Sequence, residues 1–134
     1  MEREIINPES VHSTQGVGYS HAARVGETLY IAGQVALDKE GLLVGRGDAE
    51  AQTHQAYANL RAILEELGGS MGDIVKLTTY LTSRDCLEGF RKARNETLSA
   101  PFPPNTLVFV SGLAQPEYLV EIEAIAVLGT ERPA

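Results

Sequence analysis

One segment near the C-terminus restricts the possible fold more than any other part of the chain. Residues 120–127 read Val-Glu-Ile-Glu-Ala-Ile-Ala-Val, and the side chains of a β-strand alternate between the two faces of its sheet. One face of this predicted strand is wholly apolar and must be covered. The other face carries Glu121 and Glu123 among apolar residues, a mixture typical of neither a core nor a free surface. The pattern therefore predicts a half-buried wall, such as a pocket or a subunit interface, and we expect any chemical site there.

The rest of the chain predicts a two-layer α+β domain spanning residues 1–134. Residues 1–16 show no steady period and predict an irregular arm, with one short strand at most. Two stretches have the apolar spacing of an amphipathic helix, and Asp48 is the predicted N-cap of the first. The elements follow the order β-β-α-β-α-β-β, which predicts a single sheet with both helices on one face. The predicted strands are 18–25, 28–35, 73–82, 103–110 and 119–127, and the predicted helices are 48–67 and 85–98.

The sheet face away from the helices has no element left to cover it. Strict alternation places Gly33 and Val75 on the helix side, and Gln34 and Ile74 on this bare face. A large apolar patch is unusual on a monomer, so the pattern predicts an oligomer that buries the face. The main residues expected on the bare face are Tyr30, Thr78, Tyr80, Phe109, Ile125 and Val127.

Composition restricts the class of partner. The net charge of −7 disfavours nucleic acid, because phosphate contacts supply much of the affinity of nucleic-acid binders. No apolar run approaches the roughly 20 residues of a membrane helix, so no membrane contact is expected. The N-terminus has no signal-peptide pattern, which predicts a cytoplasmic protein.

The metal-binding residue types are sparse. Cys86 is the single cysteine, which excludes an internal disulfide and predicts a small buried side chain at a strand-to-helix junction. His12, His21 and His54 show no metal-ligand spacing with one another or with acids, so no metal site is predicted.

Four segments give the chain a clear resemblance to the RidA/YjgF family of small cytosolic proteins. The resemblance implies a chorismate-mutase-like fold and a homotrimer with three clefts between subunits, lined by the sheet faces. It also implies hydrolysis of reactive enamines and imines derived from amino acids to ammonia and a keto acid, with no metal or cofactor. The segments are Gly-Tyr-Ser at 18–20, Leu-Tyr-Ile-Ala-Gly-Gln-Val at 29–35, Asp-Ile-Val-Lys-Leu-Thr-Thr-Tyr-Leu at 73–81 and Val-Glu-Ile-Glu-Ala-Ile-Ala at 120–126.

The resemblance assigns roles to individual residues. Glu121, the first acid of Val-Glu-Ile-Glu-Ala, matches the acid that handles protons and the attacking water. Tyr19 matches a tyrosine of the cleft. Gly33 matches the glycine of a Ser-Gly-Gln turn, in which Ala32 replaces the serine and removes a hydroxyl. Glu123 is expected to pair with Lys76 or an arginine.

The sequence departs from the deaminase branch most clearly at Asn105. That branch has Pro-Ala-Arg-Ser where this chain has Pro-Pro-Asn-Thr, and its arginine binds the substrate carboxylate. Asparagine brings neither the charge nor the bidentate fork of arginine. The substrate is therefore expected to differ from a simple 2-imino acid, with Arg91 or Arg94 as a candidate replacement cation.

Each assignment has a structural alternative. Glu121 could be a buried acid bonded to backbone, Tyr19 a packing residue, and Asn105 a residue that bonds the loop backbone. The clefts could also belong to a non-catalytic trimer that binds or senses a small molecule. An endoribonuclease, the older description of such relatives, is disfavoured by the acidic charge.

Overall fold

The computed structural model describes residues 1–130, which form one six-stranded sheet covered on one face by two helices. The strand order is β1-β2-β3-β6-β4-β5, and all neighbours are antiparallel except β4 and β5. The predicted fold class is confirmed, with one short strand added in the N-terminal arm. The elements are β1 Glu4–Ile6, β2 Ala22–Val25, β3 Thr28–Gln34, α1 Ala49–Glu66, β4 Ile74–Leu81, α2 Leu87–Thr97, β5 Asn105–Phe109 and β6 Val120–Val127.

Helix α1 begins where its capping residue predicts. Asp48 Oδ1 accepts a hydrogen bond from the backbone N–H of Ala51 at 3.0 Å, an interaction worth about 1 kcal/mol in typical helices. Leu60, Ile63 and Leu64 recur at helical spacing and are fully buried against the sheet. The helix then ends before Gly68, whose φ of +81° is a conformation that favours glycine.

Strand β6 shows the alternation that its sequence predicts. Val120, Ile122, Ala124 and Ala126 are buried in the core beneath the helices. The side chains between them are half-buried on the opposite face. Burial of a large aliphatic side chain stabilises a fold by about 1.5–3 kcal/mol, so this strand anchors the sheet at its centre.

Strand β3 departs from strict alternation through a β-bulge. Ile31 pairs with Ala124 and Gln34 pairs with Ile122, so three residues of β3 span the distance of two on β6. The extra residue reverses the faces that follow it. Gln34 is consequently fully buried, and Gly33 lies on the bare face beside Glu121. The prediction for these two residues was wrong for this reason.

A second register shift lies between Ile74 and Lys76 of β4, and because of it the predicted faces of Ile74 and Val75 were wrong. Ile74 is 6% exposed and belongs to the core, whereas Val75 is 37% exposed. One residue was also placed on the wrong face in β5. Phe109 pairs in parallel with the buried Leu81 and therefore lies on the helix side, packed against the core with the Arg84 guanidinium over its ring.

Smaller differences concern the ends of elements. The first long strand begins at Ala22 and not at residue 18, since Gly18 has a φ of +96° that interrupts an extended chain. The second helix is preceded by a 3₁₀ turn, Arg84–Cys86, in which Cys86 is buried as predicted. Within residues 1–130, no helix has the combination of length and apolar character that crossing a membrane would require.

Candidate functional site

Glu121 lies near the start of β6 on the bare face, and its carboxyl group packs directly over Gly33. A Cβ built on Gly33 would be 2.3 Å from Glu121 Oε2 and 2.7 Å from Cδ, closer than any real side chain could lie. The bulge in β3 creates this contact, because it turns Gly33 toward β6. The half-buried carboxyl group of Glu121 can therefore occupy this position because residue 33 has no side chain.

The Glu121 cavity, of about 580 Å³, surrounds this carboxyl group. The structure brings together four of the residues that the resemblance assigns, Tyr19, Ala32, Gly33 and Glu121. It adds a second phenol, Tyr118, from the loop before β6, which the sequence analysis missed because nothing in the loop pattern singles it out. The other lining residues are His12, Ser13, Val17, Val35, Leu37, Glu40, Gly41, Ala114 and Gln115.

The electrostatics of the cavity favour protonated oxygen groups. Burial raises the pKa of Glu121 above its ordinary value, and the charge of Glu123 raises it further. Burial also raises the pKa of the Tyr19 phenol, with smaller contributions from Tyr118 and Glu121. Glu121 therefore exchanges a proton nearer to neutral pH than an ordinary carboxyl group does, which suits proton transfer.

Glu123 has a structural partner that was not predicted. It accepts a short hydrogen bond from the hydroxyl of Tyr80 on the neighbouring strand β4. Lys76, the expected partner, instead donates to the backbone of Leu77 and to the Thr106 hydroxyl. Glu123 is thus fixed by Tyr80 and acts on Glu121 through its charge.

A buried histidine pair supports the loop that carries Tyr19. His21 Nε2 donates to the carbonyl oxygen of His12 at 2.7 Å, and its Nδ1 accepts from Gln34 at 3.1 Å. The ring of Tyr19 meets the ring of His21 edge-on at 6.2 Å. Burial lowers the pKa of His12, as does the neighbouring His21. These histidines were missed as a site component because isolated histidines carry no sequence signal.

The remaining predicted site residues lie elsewhere in the subunit. Asn105 begins β5 on the helix side, where its Oδ1 accepts from the Thr79 hydroxyl at 2.9 Å. Arg91 is exposed on α2, and it is Arg94 that shares a cavity with Asn105. Glu121 faces the opposite side of the sheet, so one subunit does not bring Asn105 and Glu121 together.

One cluster of metal-ligand type was also missed. Glu50 and His54, four residues apart on α1, meet Glu96 of α2 with candidate ligand atoms within 4.8 Å of one another. Their spacing on a helix was the available signal. Lys92 Nζ lies 3.2 Å from a carboxylate oxygen of Glu50 and competes for that ligand. The cluster lies on the helices, away from the face that carries Glu121.

Comparisons with known proteins extend over nearly the whole chain. Residues 12–128 match the family model described as Endoribonuclease L-PSP. A RutC family protein from Pyrococcus abyssi is 36% identical over 94% of this chain and 98% of its own length. A 2-iminobutanoate/2-iminopropanoate deaminase from Dermatophagoides farinae is 30% identical over 92% of this chain and 99% of its own.

A solved structure agrees with the same assignment. The crystal structure of RidA from an Antarctic Psychrobacter bacterium superposes with a TM-score of 0.85 at 34% identity. The match covers 93% of this chain and 99% of that one. Fold, sequence and family model agree, and the chain belongs to the RidA/YjgF family.

Proposed function

We propose that the protein is a hydrolytic deaminase of reactive enamine or imine metabolites, acting in clefts between the subunits of a homotrimer. The observation that carries the proposal is Glu121, a half-buried carboxyl group with a raised pKa in a cavity that also holds two phenols. The relative from Dermatophagoides farinae that is named as a 2-imino acid deaminase supports it. Glu121 is the proton-transfer residue of the proposed reaction.

The proposed chemistry needs one group that both accepts and returns a proton. As water attacks the carbon of a protonated imine, the Glu121 carboxylate accepts a proton from that water, and a carbinolamine forms. Glu121 then returns the proton to nitrogen, and the C–N bond breaks so that ammonia leaves. The Glu121 carboxylate takes the hydroxyl proton of the carbinolamine as the carbonyl forms. The phenols of Tyr19 and Tyr118 can donate hydrogen bonds to the oxygen that enters.

The separation of Glu121 from Asn105 supports a site shared between two subunits. Glu121 lies on the bare face, with the exposed Tyr30 and the half-buried Tyr80 and Ile125. Asn105 lies on the helix side of the edge strand β5. In a cyclic trimer the edge of one subunit can meet the bare face of the next, which would complete three equivalent clefts and cover the apolar face.

The trimer is directly testable. Light scattering at micromolar concentration is expected to report three times the 14.4 kDa mass of the chain. Tyr30→Glu would place a charge on the bare face and should shift the mass toward the monomer, whereas Arg61→Glu on the exposed surface of α1 should not. A monomeric unmodified protein would contradict both the trimer and the shared cleft.

The second candidate function is a non-catalytic trimer that binds or senses a small molecule in the same clefts. Asn105 and Ala32 favour it, because each lacks a group that the deaminase branch uses. A protein that binds an imine analogue but accelerates no imine hydrolysis would support this candidate. The endoribonuclease description ranks third, since a chain of net charge −7 repels phosphates at long range.

Residue 105 offers a test of substrate choice. Asn105→Arg, combined with Pro104→Ala to make room, is expected to raise kcat/KM on 2-aminoacrylate by about tenfold for each 1.4 kcal/mol of carboxylate binding gained. The gain should appear mainly in KM, because the carboxylate is bound equally in the ground and transition states. The assay generates the imine with a dehydratase and follows its decay; Pro104→Ala alone is the control. Efficient clearance by the unmodified protein would mean that another group already binds the carboxylate.

A further inference from the structure

His12 is a buried side chain whose polar atoms are left unpaired. The residue is 5% exposed, and neither Nδ1 nor Nε2 of its ring has a hydrogen-bond partner among residues 1–130. Both nitrogens are shielded from solvent, so neither a ligand nor a second subunit can pair them while the ring stays in place. Unpaired polar groups in a protein interior are rare and lower its stability. Water would pair both nitrogens if the ring left this position, so the buried position is costly to hold.

The surroundings of His12 offer no acceptor to a protonated ring. The ring of His21 meets it edge-on, with the ring centres 4.7 Å apart. Both nitrogens of His21 are engaged, Nε2 with the carbonyl oxygen of His12 and Nδ1 with Gln34. Gln34 Oε1 is itself unpaired within residues 1–130, so the His12 ring does not reach it. Burial lowers the pKa of His12, as does His21, and the buried ring is therefore the neutral form.

Titratable groups also share two cavities with His12. A cavity of about 850 Å³, here called the arm cavity, is lined by Lys39 and by residues between Asn7 and Ser20. The titratable residues beside His12 in the arm cavity are Glu9, Tyr19 and Lys39. Those in the Glu121 cavity are Tyr19, Glu40, Tyr118 and Glu121. None of these side chains is hydrogen-bonded to the His12 ring. Carboxyl groups outnumber the one lysine, so a protonated His12 that left its buried position would enter surroundings of opposite charge.

The segment that carries His12, here called the His12 loop, residues 11–20, is held at its ends and free at its tip. Asn7 of the N-terminal arm holds both ends, because its Oδ1 accepts from the Thr14 hydroxyl at 3.0 Å and from the backbone N–H of His21 at 2.8 Å. Gly16 and Gly18 form the exposed tip with φ values of +77° and +96°. A Cβ built on either glycine would meet nothing within 4 Å, so the tip has room to move.

The same loop places Tyr19 in the Glu121 cavity. The Tyr19 ring lies edge-on to the ring of His21, with the ring centres 6.2 Å apart. His21 in turn is fixed by the ring and the carbonyl oxygen of His12. A displacement of His12 therefore removes two contacts of His21 and the support beneath Tyr19.

We propose that His12 is a pH-sensitive latch, which holds the His12 loop closed with Tyr19 in the Glu121 cavity while it is neutral and releases the loop when it is protonated. The inference goes beyond the proposed function and does not depend on it, because loop opening needs no substrate. The closed loop disfavours the protonated ring, so the open state binds more protons. Opening should therefore increase as pH falls below 6.5, the ordinary value for histidine, and by up to about tenfold for each pH unit.

The test measures loop opening by hydrogen exchange of single amides, followed by NMR at pH 7.5, 6.5 and 5.5. The amides of Val17 and His21 report on the loop, since the first donates to the Thr14 carbonyl and the second to Asn7. Each rate is divided by the rate of an unfolded chain at the same pH, which gives a protection factor. In the unmodified protein this factor should fall by up to about tenfold per pH unit below 6.5, while amides within α1 keep theirs.

Variants assign the effect to one residue. His12→Leu fills the buried position without a titratable group, so its protection factors should not change with pH. His54→Gln, which alters the histidine of α1, is the matched control and should behave as the unmodified protein does. Glu121→Gln should also keep the full pH dependence. If His12→Leu does not fold, His12→Gln is equally unable to titrate and should abolish the dependence.

Each outcome decides the inference. Protection factors of Val17 and His21 that stay constant between pH 7.5 and 5.5, or that fall equally in the His12 variant, would overturn it. A pH dependence that disappears in Glu121→Gln would assign the effect to the cavity carboxyl and would overturn it as well. A protein that shows the latch but hydrolyses no imine would contradict the deaminase proposal alone.

Discussion

Glu121→Gln is expected to lower the turnover of an imine substrate by about 10²–10⁴-fold, the usual contribution of one general acid–base group. Glutamine preserves the shape of the side chain and its position over Gly33, but it neither accepts nor returns a proton. Affinity for a keto acid should change little, because the side chain of glutamine has nearly the same size and shape as that of Glu121 over Gly33. The measurement is ammonia release from an enzymatically generated imine, beside titration of the keto acid.

The matched control is Glu65→Gln, which changes an exposed acid of α1 and should leave the turnover unaltered. A Glu121→Gln variant that retains full turnover would contradict the role of Glu121 in proton transfer. An unmodified protein without turnover would leave binding as the function of the cleft.

The same variant should change the pH dependence of stability. The folded-state pKa of Glu121 lies above its unfolded value, so the folded protein loses stability as pH rises from the unfolded pKa through the folded pKa. Glutamine does not ionise, so the variant does not lose stability in this way as pH rises. Glu121→Gln should therefore melt at a higher temperature than the unmodified protein at pH 8, and the difference should disappear below the ordinary carboxyl value of 4.5. A gain that stays constant with pH would contradict the raised pKa.

The fold could be predicted from the sequence where a local pattern and the tertiary structure agree. The alternation of residues 120–127 appears unchanged in β6, because both of its edges are paired and one face is filled by core side chains. Helix α1 begins at the Asp48 cap for a similarly local reason. In both cases the chain within one element contains the information that decides its structure.

The errors arose where a partner strand decides the face of a residue. The register shifts in β3 and β4 each add one residue relative to β6, and a shift of one reverses every following side chain. The sequence around Gly33 or Ile74 does not show how many residues of β6 pair with that segment. Phe109 was misplaced for a related reason, since its face follows from parallel pairing with β4.

The candidate site was predictable in part. Four of the residues that the resemblance assigns to the cleft, Tyr19, Ala32, Gly33 and Glu121, line one cavity. It could not indicate that Asn105 lies on the opposite side of the sheet, or that Arg94, one turn after Arg91, lines the cavity beside it. Those positions depend on how α2 packs against α1 and on the pairing of β5 with β4, which residue types alone do not reveal.

Gly33→Ala is expected to remove nearly as much turnover as Glu121→Gln, although it adds one methyl group and removes nothing. The new Cβ would stand 2.3 Å from Oε2, 2.7 Å from Cδ and 2.8 Å from Cγ of Glu121. All three atoms belong to a flexible side chain, and the φ of Gly33 is not in the left-handed region, so the backbone can remain in place. The carboxyl group must therefore leave its position and lose the geometry that proton transfer requires.

Stability should respond much less than activity. Replacing glycine by alanine at a compatible backbone conformation reduces the entropy of the unfolded chain by about 0.4–1 kcal/mol, which offsets part of the cost of moving Glu121. The control is Gly112→Ala, since a Cβ at Gly112 meets nothing within 4 Å. We expect turnover to fall at least about a hundredfold in Gly33→Ala and to stay unchanged in Gly112→Ala, with similar melting temperatures. Full turnover in Gly33→Ala would mean that the reaction does not depend on the carboxyl group held over residue 33.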